Sequence, residues 1–310
     1  MLGVRNLLLL ALAAPSTRPP PTFAFCSSIA SVSASSSQPV TETVSHDPNT
    51  ASPLGYSRSK WVAESLLSRA YEQVPRLRKA NALAILRVGQ LSGDTSHGIW
   101  NATEAWPMML SSLRATDVLP SLEDESLSWL PVDVAAKGFA QVTASLTHDR
   151  AREKDKSEIP VFHILNPSTS PTWTELLTLA HDFEPKIAFE AVEPGLWIHK
   201  LEELQTTKPA HSALKLLGMW RAAYGGREAG VDISVADGAA SATGNGDREE
   251  KNGETNRVQD NIGDDKTRVM FDVKRAQEVS DVLAGVGPLD EVYLAKLWRW
   301  IQENVEEWNV

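Results

Sequence analysis

Gly55–Trp61 reads GYSRSKW, and it opens a segment with helical periodicity. Ala63, Leu66, Leu67, Ala70 and Val74 recur at three- and four-residue spacing, which makes one face apolar, and Pro75 helps to end it. In such a helix Tyr56 and Lys60, four residues apart, share a face. Before it stands TFAFCSS (Thr22–Ser28), a short apolar run with aromatics that reads as a buried strand. After it stands NALAILRVGQL (Asn81–Leu91), a second buried strand. Residues 29–54, rich in Ser, Thr and Pro, read as a loop. Strand, loop, helix and strand in this order point to a parallel sheet with helices on its faces.

The pattern continues outward. GDTSHGIWN is a loop, and Ala102–Arg114 reads as a helix that tolerates Pro107 near its start. LSWLPVD is a strand ending at Asp133, which is placed to cap a helix over Val134–Leu146. EIPVFHILNP is a strand, and SPTWTELLTLA a helix with Ser170 as its cap. KIAFEAV is a strand, followed by helices around Leu196–Leu204 and Pro209–Tyr224. FDVKRAQEVSDVL and LDEVYLAKLWRWIQENVEEW read as two closing helices, with Leu294, Leu297, Trp298 and Ile301 on one face. Between them and the preceding helices, residues 225–266 are Gly-, Asn-, Asp- and Glu-rich and hold no aromatic residue. Such a segment buries too little surface to offset its ordering entropy and reads as a disordered insertion.

Composition narrows the function classes. The 310 residues carry a net charge of −10. An acidic chain without a basic cluster is ill suited to nucleic acid. Cys26 is the one cysteine, so neither an internal disulfide nor a Cys-based zinc site can form. The seven histidines show no metal-binding spacing, so no metal is expected. No apolar run approaches the roughly 20 residues of a membrane span. MLGVRNLLLLALAAPS fits a secretory signal, and the Ser-rich, acid-free start would also suit a transit peptide. The alternative is a buried helix over Val4–Ala13. That helix is the preferred reading, with a cytoplasmic protein as its corollary.

A Lys ammonium beside a Tyr hydroxyl favours the phenolate and so lowers the Tyr pKa from about 10. A Tyr tuned in this way can protonate a carbonyl oxygen. By spacing alone the better reading of the pair is a solvated couple on a helix face. A neighbouring Ser or Thr would supply a second hydrogen bond to a developing oxyanion. Ser27 and Ser28 close the strand before the helix, at the end of a sheet where ligands bind.

FCSSIASV, GYSRSKWVAE, LRVGQLSGDTSHGIWNATEAWPMML and SWLPVDVAAKGF together resemble an extended short-chain dehydrogenase/reductase. More narrowly they resemble the C-terminal thioester reductase domain of fungal adenylate-forming, synthetase-like reductases. The likeness runs from about Gly3 to Asn304, outside the insertion. It implies an α/β fold: an incomplete Rossmann-like parallel sheet over residues 1–156, and a mostly helical substrate and carrier-side subdomain over 157–310. It implies Ser28 as the catalytic hydroxyl, with Ser27 as fallback, and Tyr56 as proton donor. Lys60 would tune Tyr56 and bind the nicotinamide ribose. Val88, Gly89 and Gln90 would lie near the nicotinamide, and Trp100 and Asn101 near the substrate entrance. The implied reaction is NADPH-dependent reduction of an acyl thioester on a carrier protein's phosphopantetheine arm, giving an aldehyde or an alcohol.

The Gly-rich turn that admits a dinucleotide pyrophosphate is not found. Only Gly3 precedes Ser28, and neither GNGDRE nor GVGPLD follows a strand and opens a helix. The expectation is therefore a catalytic portion without the first half of its cofactor domain. A non-catalytic remnant, or a partner-binding module, is the alternative.

Overall fold

The computed structural model describes residues 2–15, 20–123, 125–148, 158–183, 189–224 and 269–305. The insertion read at 225–266 lies outside the described residues.

A three-stranded parallel sheet forms the centre of the first lobe. Its strands are β1 (Phe23–Ser28), β2 (Leu83–Val88) and β6 (Val161–Ile164), in the order β1-β2-β6. Two short parallel pairs extend the architecture: β3 (Leu91–Ser92) with β5 (Leu130–Pro131), and β4 (Val118–Pro120) with β7 (Glu190–Val192). Helices cover both faces of the central sheet, as alternation along the strands requires. Leu83 and Ile85 of β2 face one side, against Leu67 and Tyr71 of α2 (Gly55–Gln73), Leu77 of α3 (Pro75–Lys79) and Leu8 of α1 (Leu2–Leu12). Ala84 and Leu86 face the other, against Val142 and Leu146 of α6 (Val132–His148). Ala276 of α10 (Lys274–Val279) and Leu283 of α11 (Asp281–Ala284) close that side.

The N-terminal residues form α1, the helix expected over Val4–Ala13, but it is not the buried helix expected: only Leu8 and Ala11 are buried, and Leu2, Leu7, Leu9 and Leu10 are exposed. β1 departs from expectation: β2 is buried along nearly its whole length, but β1 is half-buried and Cys26 is exposed. Among the described residues β1 pairs only with β2, so it is an edge strand here.

A second lobe packs around tryptophans. It joins α4 (Ala105–Ser111), α5 (Leu113–Thr116), α7 (Trp173–Phe183), α8 (Pro194–Thr207), α9 (Leu217–Tyr224) and α12 (Glu291–Asn304). The expected face of α12 (Leu294, Leu297, Trp298 and Ile301) is buried in it. Residues 100–129 also belong to this cluster, whereas β6 belongs to the sheet. The two cores therefore interleave in sequence and do not divide at residue 156.

Three local readings change. Asp133 lies inside α6, and its carboxylate accepts from Thr95 N (3.0 Å) and Thr95 Oγ1 (2.8 Å). It tethers the loop after β3 and is not a helix cap. The cap of α7 is Thr172, not Ser170: Glu175 N donates to Thr172 Oγ1 and Thr172 N to Glu175 Oε2, a capping box. The single helix expected over Phe271–Leu283 breaks at Ser280, whose Oγ accepts from Leu283 N and starts α11.

The loop 93–101 is pinned to α12. Tyr293 donates its hydroxyl to Gly93 O (2.6 Å), and Lys296 Nζ donates to Thr95 O (2.8 Å). Gly98 has φ +72°, and a Cβ there would lie 2.6 Å from Lys296 O. Backbone on backbone cannot yield cheaply. Gly98→Ala is expected to cost about 1–3 kcal/mol, read as a lower denaturant midpoint with an unchanged slope. A midpoint equal to wild type would show that the loop relaxes freely.

Candidate active site

Ser28, Tyr56 and Lys60 converge at the C-terminal end of β1. The chain leaves this strand through a single 3-10 turn, Ile29–Ser31, and Ser28 caps it, accepting from Ala30 N at 3.2 Å. The Ser28 side chain lies near enough to the Tyr56 phenol to favour its ionisation, against the effect of burial. Tyr56 is the second residue of α2 and half-buried. One turn further on, Lys60 Nζ donates to Cys26 O at 2.9 Å and lies 5.4 Å from the Tyr56 ring centroid and 5.3 Å from that of Phe25.

The two serines are thereby told apart. Adjacent residues of a strand face opposite sides. Ser27 points inward and donates to Glu64 Oε1, so its hydroxyl is engaged away from Tyr56. Ser28 is the hydroxyl beside Tyr56. The expected lowering of the Tyr56 pKa is not seen. Burial holds the phenol above its ordinary value, the Ser28 hydroxyl works against that shift, and the Lys60 ammonium contacts the Cys26 carbonyl instead. Tyr56 is therefore a protonated donor throughout the neutral range.

The other expected positions scatter. Val88 is the register partner of Ser28, so the ends of β1 and β2 lie side by side. Gly89 follows, and a Cβ there would come within 2.7 Å of Leu165 Cβ. The close passage of β2 and β6 accounts for this glycine without a ligand. Gln90 is buried and donates through Nε2 to Leu91 O. Trp100 is a core residue, 5.0 Å from Trp129 between ring centroids, with its indole N–H on Glu104. It is not a surface group at an entrance. Asn101 is exposed and caps a turn, accepting from Thr103 N and Thr103 Oγ1. Two cavities of about 410 and 490 Å3 lie around Trp61 on the outer side of α2, and none of the three convergent groups lines them.

Sequence reasoning missed a buried polar array beneath the site. Ser27, Arg87 and His163 are register partners across β1, β2 and β6, so they form one row of the sheet. Glu64 of α2 lies over this row. Arg87 Nη2 donates to Glu64 Oε2 at 2.7 Å, and Arg87 Nε reaches both carboxylate oxygens at 3.2 Å. Ser31 Oγ donates to Glu64 Oε1 at 2.7 Å. Arg87 is 0% exposed and Glu64 1%, so this is a fully desolvated ion pair. One signal for it was present: a charged residue inside the apolar strand LAILRV must find a counter-charge.

His163 ends the row. Its Nδ1 lies 2.7 Å from Asp272 O, which can only accept, so Nδ1 carries the proton and Nε2 accepts from Arg87 Nη1 at 3.3 Å. Burial, and then the Arg87 charge, lower its pKa from 6.5 to about 3. Below pH 6.5 the unfolded chain takes up a proton that the folded chain refuses, so stability falls as pH drops from 6.5 toward 3. The slope from this group approaches about 1.4 kcal/mol per pH unit. His163→Asn should lose less stability than wild type between neutral pH and pH 4.5 in denaturant titrations. Parallel curves would contradict a neutral buried imidazole.

A nicotinamide dinucleotide would fit these residues at one end only. Lys60 and Tyr56 stand where a ribose hydroxyl could be held. The pyrophosphate end needs a glycine whose missing Cβ opens space for it at a helix start; among the described residues, the space at Gly89 is taken by Leu165, and Gly3, in the first turn of α1, stands beside no other group.

The profile of an NAD-binding family described as Male sterility protein matches residues 1–139. The chain is 35% identical over 162 residues to the non-reducing polyketide synthase SAT8 of Stachybotrys chartarum, covering 51% of this chain and 6% of that protein. It is 32% identical over 219 residues to a non-reducing polyketide synthase of Aspergillus terreus, covering 67% and 8%. It is 29% identical over 191 residues to the 3-methylorcinaldehyde synthase of Sarocladium schorii, covering 60% and 6%. The chain thus spans less than a tenth of each of these relatives. Among solved structures, the terminal R domain from the myxalamid PKS-NRPS pathway superposes with a TM-score of 0.62 at 19% identity, over 97% of this chain and 62% of that one. The reductase domain of a nonribosomal peptide synthetase from Mycobacterium tuberculosis gives 0.60 at 17% identity, over 98% and 64%. Residues 1–139, which hold Ser28, Tyr56, Lys60 and Arg87, thus match the male sterility protein family of NAD-binding domains, and the chain has the fold seen in the myxalamid R domain.

Proposed function

We propose that this chain is the catalytic and substrate-side portion of an NADPH-dependent thioester reductase. The observation that carries the reading is the gathering of Ser28, Tyr56 and Lys60 at the C-terminal end of a parallel strand, with Lys60 one helical turn after Tyr56 and bonded to Cys26 O. When bound, the cofactor supplies hydride. The chain's own groups serve the acyl oxygen. Ser28 Oγ and Tyr56 OH would hydrogen-bond the developing oxyanion, and Tyr56 would give it a proton. The resulting hemithioacetal loses its C–S bond to leave an aldehyde and a free thiol, and a second reduction would give an alcohol. A carrier-protein partner is supported by a fold neighbour, an archaeal synthetase's thiolation-reductase di-domain with a TM-score of 0.57. An aldehyde product is supported by the relative named for 3-methylorcinaldehyde.

A second reading, supported by the same thiolation-reductase neighbour, is a carrier-binding module without turnover. The two are separated by joining the chain to the glycine-rich half of a male sterility family domain. An acyl-phosphopantetheinyl carrier and NADPH are then supplied, and aldehyde is trapped. NADPH consumption matched by aldehyde supports the reductase. A fusion that binds NADPH and carrier but leaves the thioester intact overturns it. The unfused chain is expected to show little NADPH binding by calorimetry.

A further inference from the structure

We propose that Glu64 is a positioning residue for the Ser28–Tyr56 pair, acting through the polar row of the sheet. The proposal rests on the reading of Ser28 and Tyr56 as the reacting hydroxyls. Glu64 lies on α2 two turns after Tyr56 and one after Lys60, so whatever fixes Glu64 fixes the start of that helix. Its partners are of two kinds. Arg87 ties it to β2, the strand whose Val88 lies in register with Ser28. Ser27 and Ser31 tie it to the residues on either side of the Ser28–Ala30 turn.

Glu64 Oε1 therefore holds both flanks of Ser28 at once. Ser31 Oγ is also within 2.8 Å of Ser28 O, so the turn itself is bound into the array. An ion pair needed only for the helix-to-sheet contact would be complete with Arg87 alone. The two serine contacts add something specific: they set where β1 ends relative to the first turn of α2. That is the separation between Ser28, at the end of β1, and Tyr56, in the first turn of α2. Arg87 is held in turn by His163 from the far side, so the row is fixed at both ends.

The test is the ζ-carbon chemical shift of Tyr56 in the full chain with 13C-tyrosine. The chain has 4 tyrosines, so Tyr56→Phe assigns the signal. Ser28→Ala removes the hydroxyl that acts on the Tyr56 phenol and sets the reference displacement. Glu64→Gln is expected to displace the signal toward that reference, and Ser31→Ala, which keeps the ion pair, to displace it less in the same direction. Leu77→Val, in the same packed cluster, lowers stability but should leave the signal in place. If Glu64→Gln does not fold, Ser31→Ala decides. A signal unmoved by Glu64→Gln or by Ser31→Ala, while Ser28→Ala moves it, overturns the positioning role. A signal unmoved by Ser28→Ala itself overturns the hydroxyl pair on which the reading depends.

Discussion

Arg87→Met is expected to lower the unfolding free energy by about 3–5 kcal/mol, because it strands a carboxylate in the interior. Glu64 is 1% exposed and has no solvent to turn to. Met roughly fills the volume, so the loss reads mainly on charge. The cycle with Glu64→Leu sharpens the expectation. Apolar replacement of both members of a buried pair is often near neutral. Here it would leave the hydroxyl of Ser27 and Nε2 of His163 with unmade bonds, each costing about 1–3 kcal/mol if it finds no water, while Ser31 keeps Ser28 O. The double variant should therefore recover part of the loss, not all of it. Urea unfolding followed by far-ultraviolet circular dichroism supplies the numbers. A single variant within about 1 kcal/mol of wild type would mean that the array is hydrated and its members loosely held.

Tyr56→Phe is expected to reduce turnover of the cofactor-competent fusion by about 10²–10⁴-fold, the usual scale of a lost general acid. The fold should barely notice. The ring stays, and Ser28 keeps its bond from Ala30 N. NADPH affinity should also change little, since Lys60 contacts Cys26 O through a different group. The pH profile carries a signed expectation. Because burial raises the Tyr56 pKa, the protonated donor persists past the ordinary value near 10, and the alkaline limb of the rate should lie above that value. A limb well below it would show that Lys60 controls the phenol after all. Full turnover in Tyr56→Phe would move the proton transfer to another group.

Much of this was legible in the residues. The apolar stripe of α2, the apolar run of β2 and the turn between them identify a parallel unit from periodicity alone. The Tyr56–Lys60 spacing places both on one helix face. Other features depend on neighbours that no local pattern contains. FAFCSS has the composition of a buried strand, but β1 lies at a sheet edge because, among the described residues, only β2 pairs with it. Ser27 and Ser28 are chemically identical and adjacent, and only the position of Glu64 tells which one faces inward. Thr172 and Ser170 both suit a cap; the choice falls to Thr172 because Glu175 stands three residues on and returns the bond. Trp100 reads as a loop residue near the substrate entrance until Trp129 is seen against it in the core.

The distribution of indoles has a practical consequence. Trp100, Trp106, Trp129, Trp173, Trp197, Trp220 and Trp298 are buried in the helical lobe, with Trp300 packed against them. On the sheet side, among the described residues, only Trp61 of α2 is found. Intrinsic fluorescence is therefore a one-sided reporter. It registers melting of the helical lobe and is nearly blind to the sheet that bears Ser28 and Tyr56. Variants of Glu64 or Arg87 should separate the two optical signals, ellipticity falling at lower urea than the emission shift. Coincident transitions would instead mean that the lobes unfold as one cooperative unit.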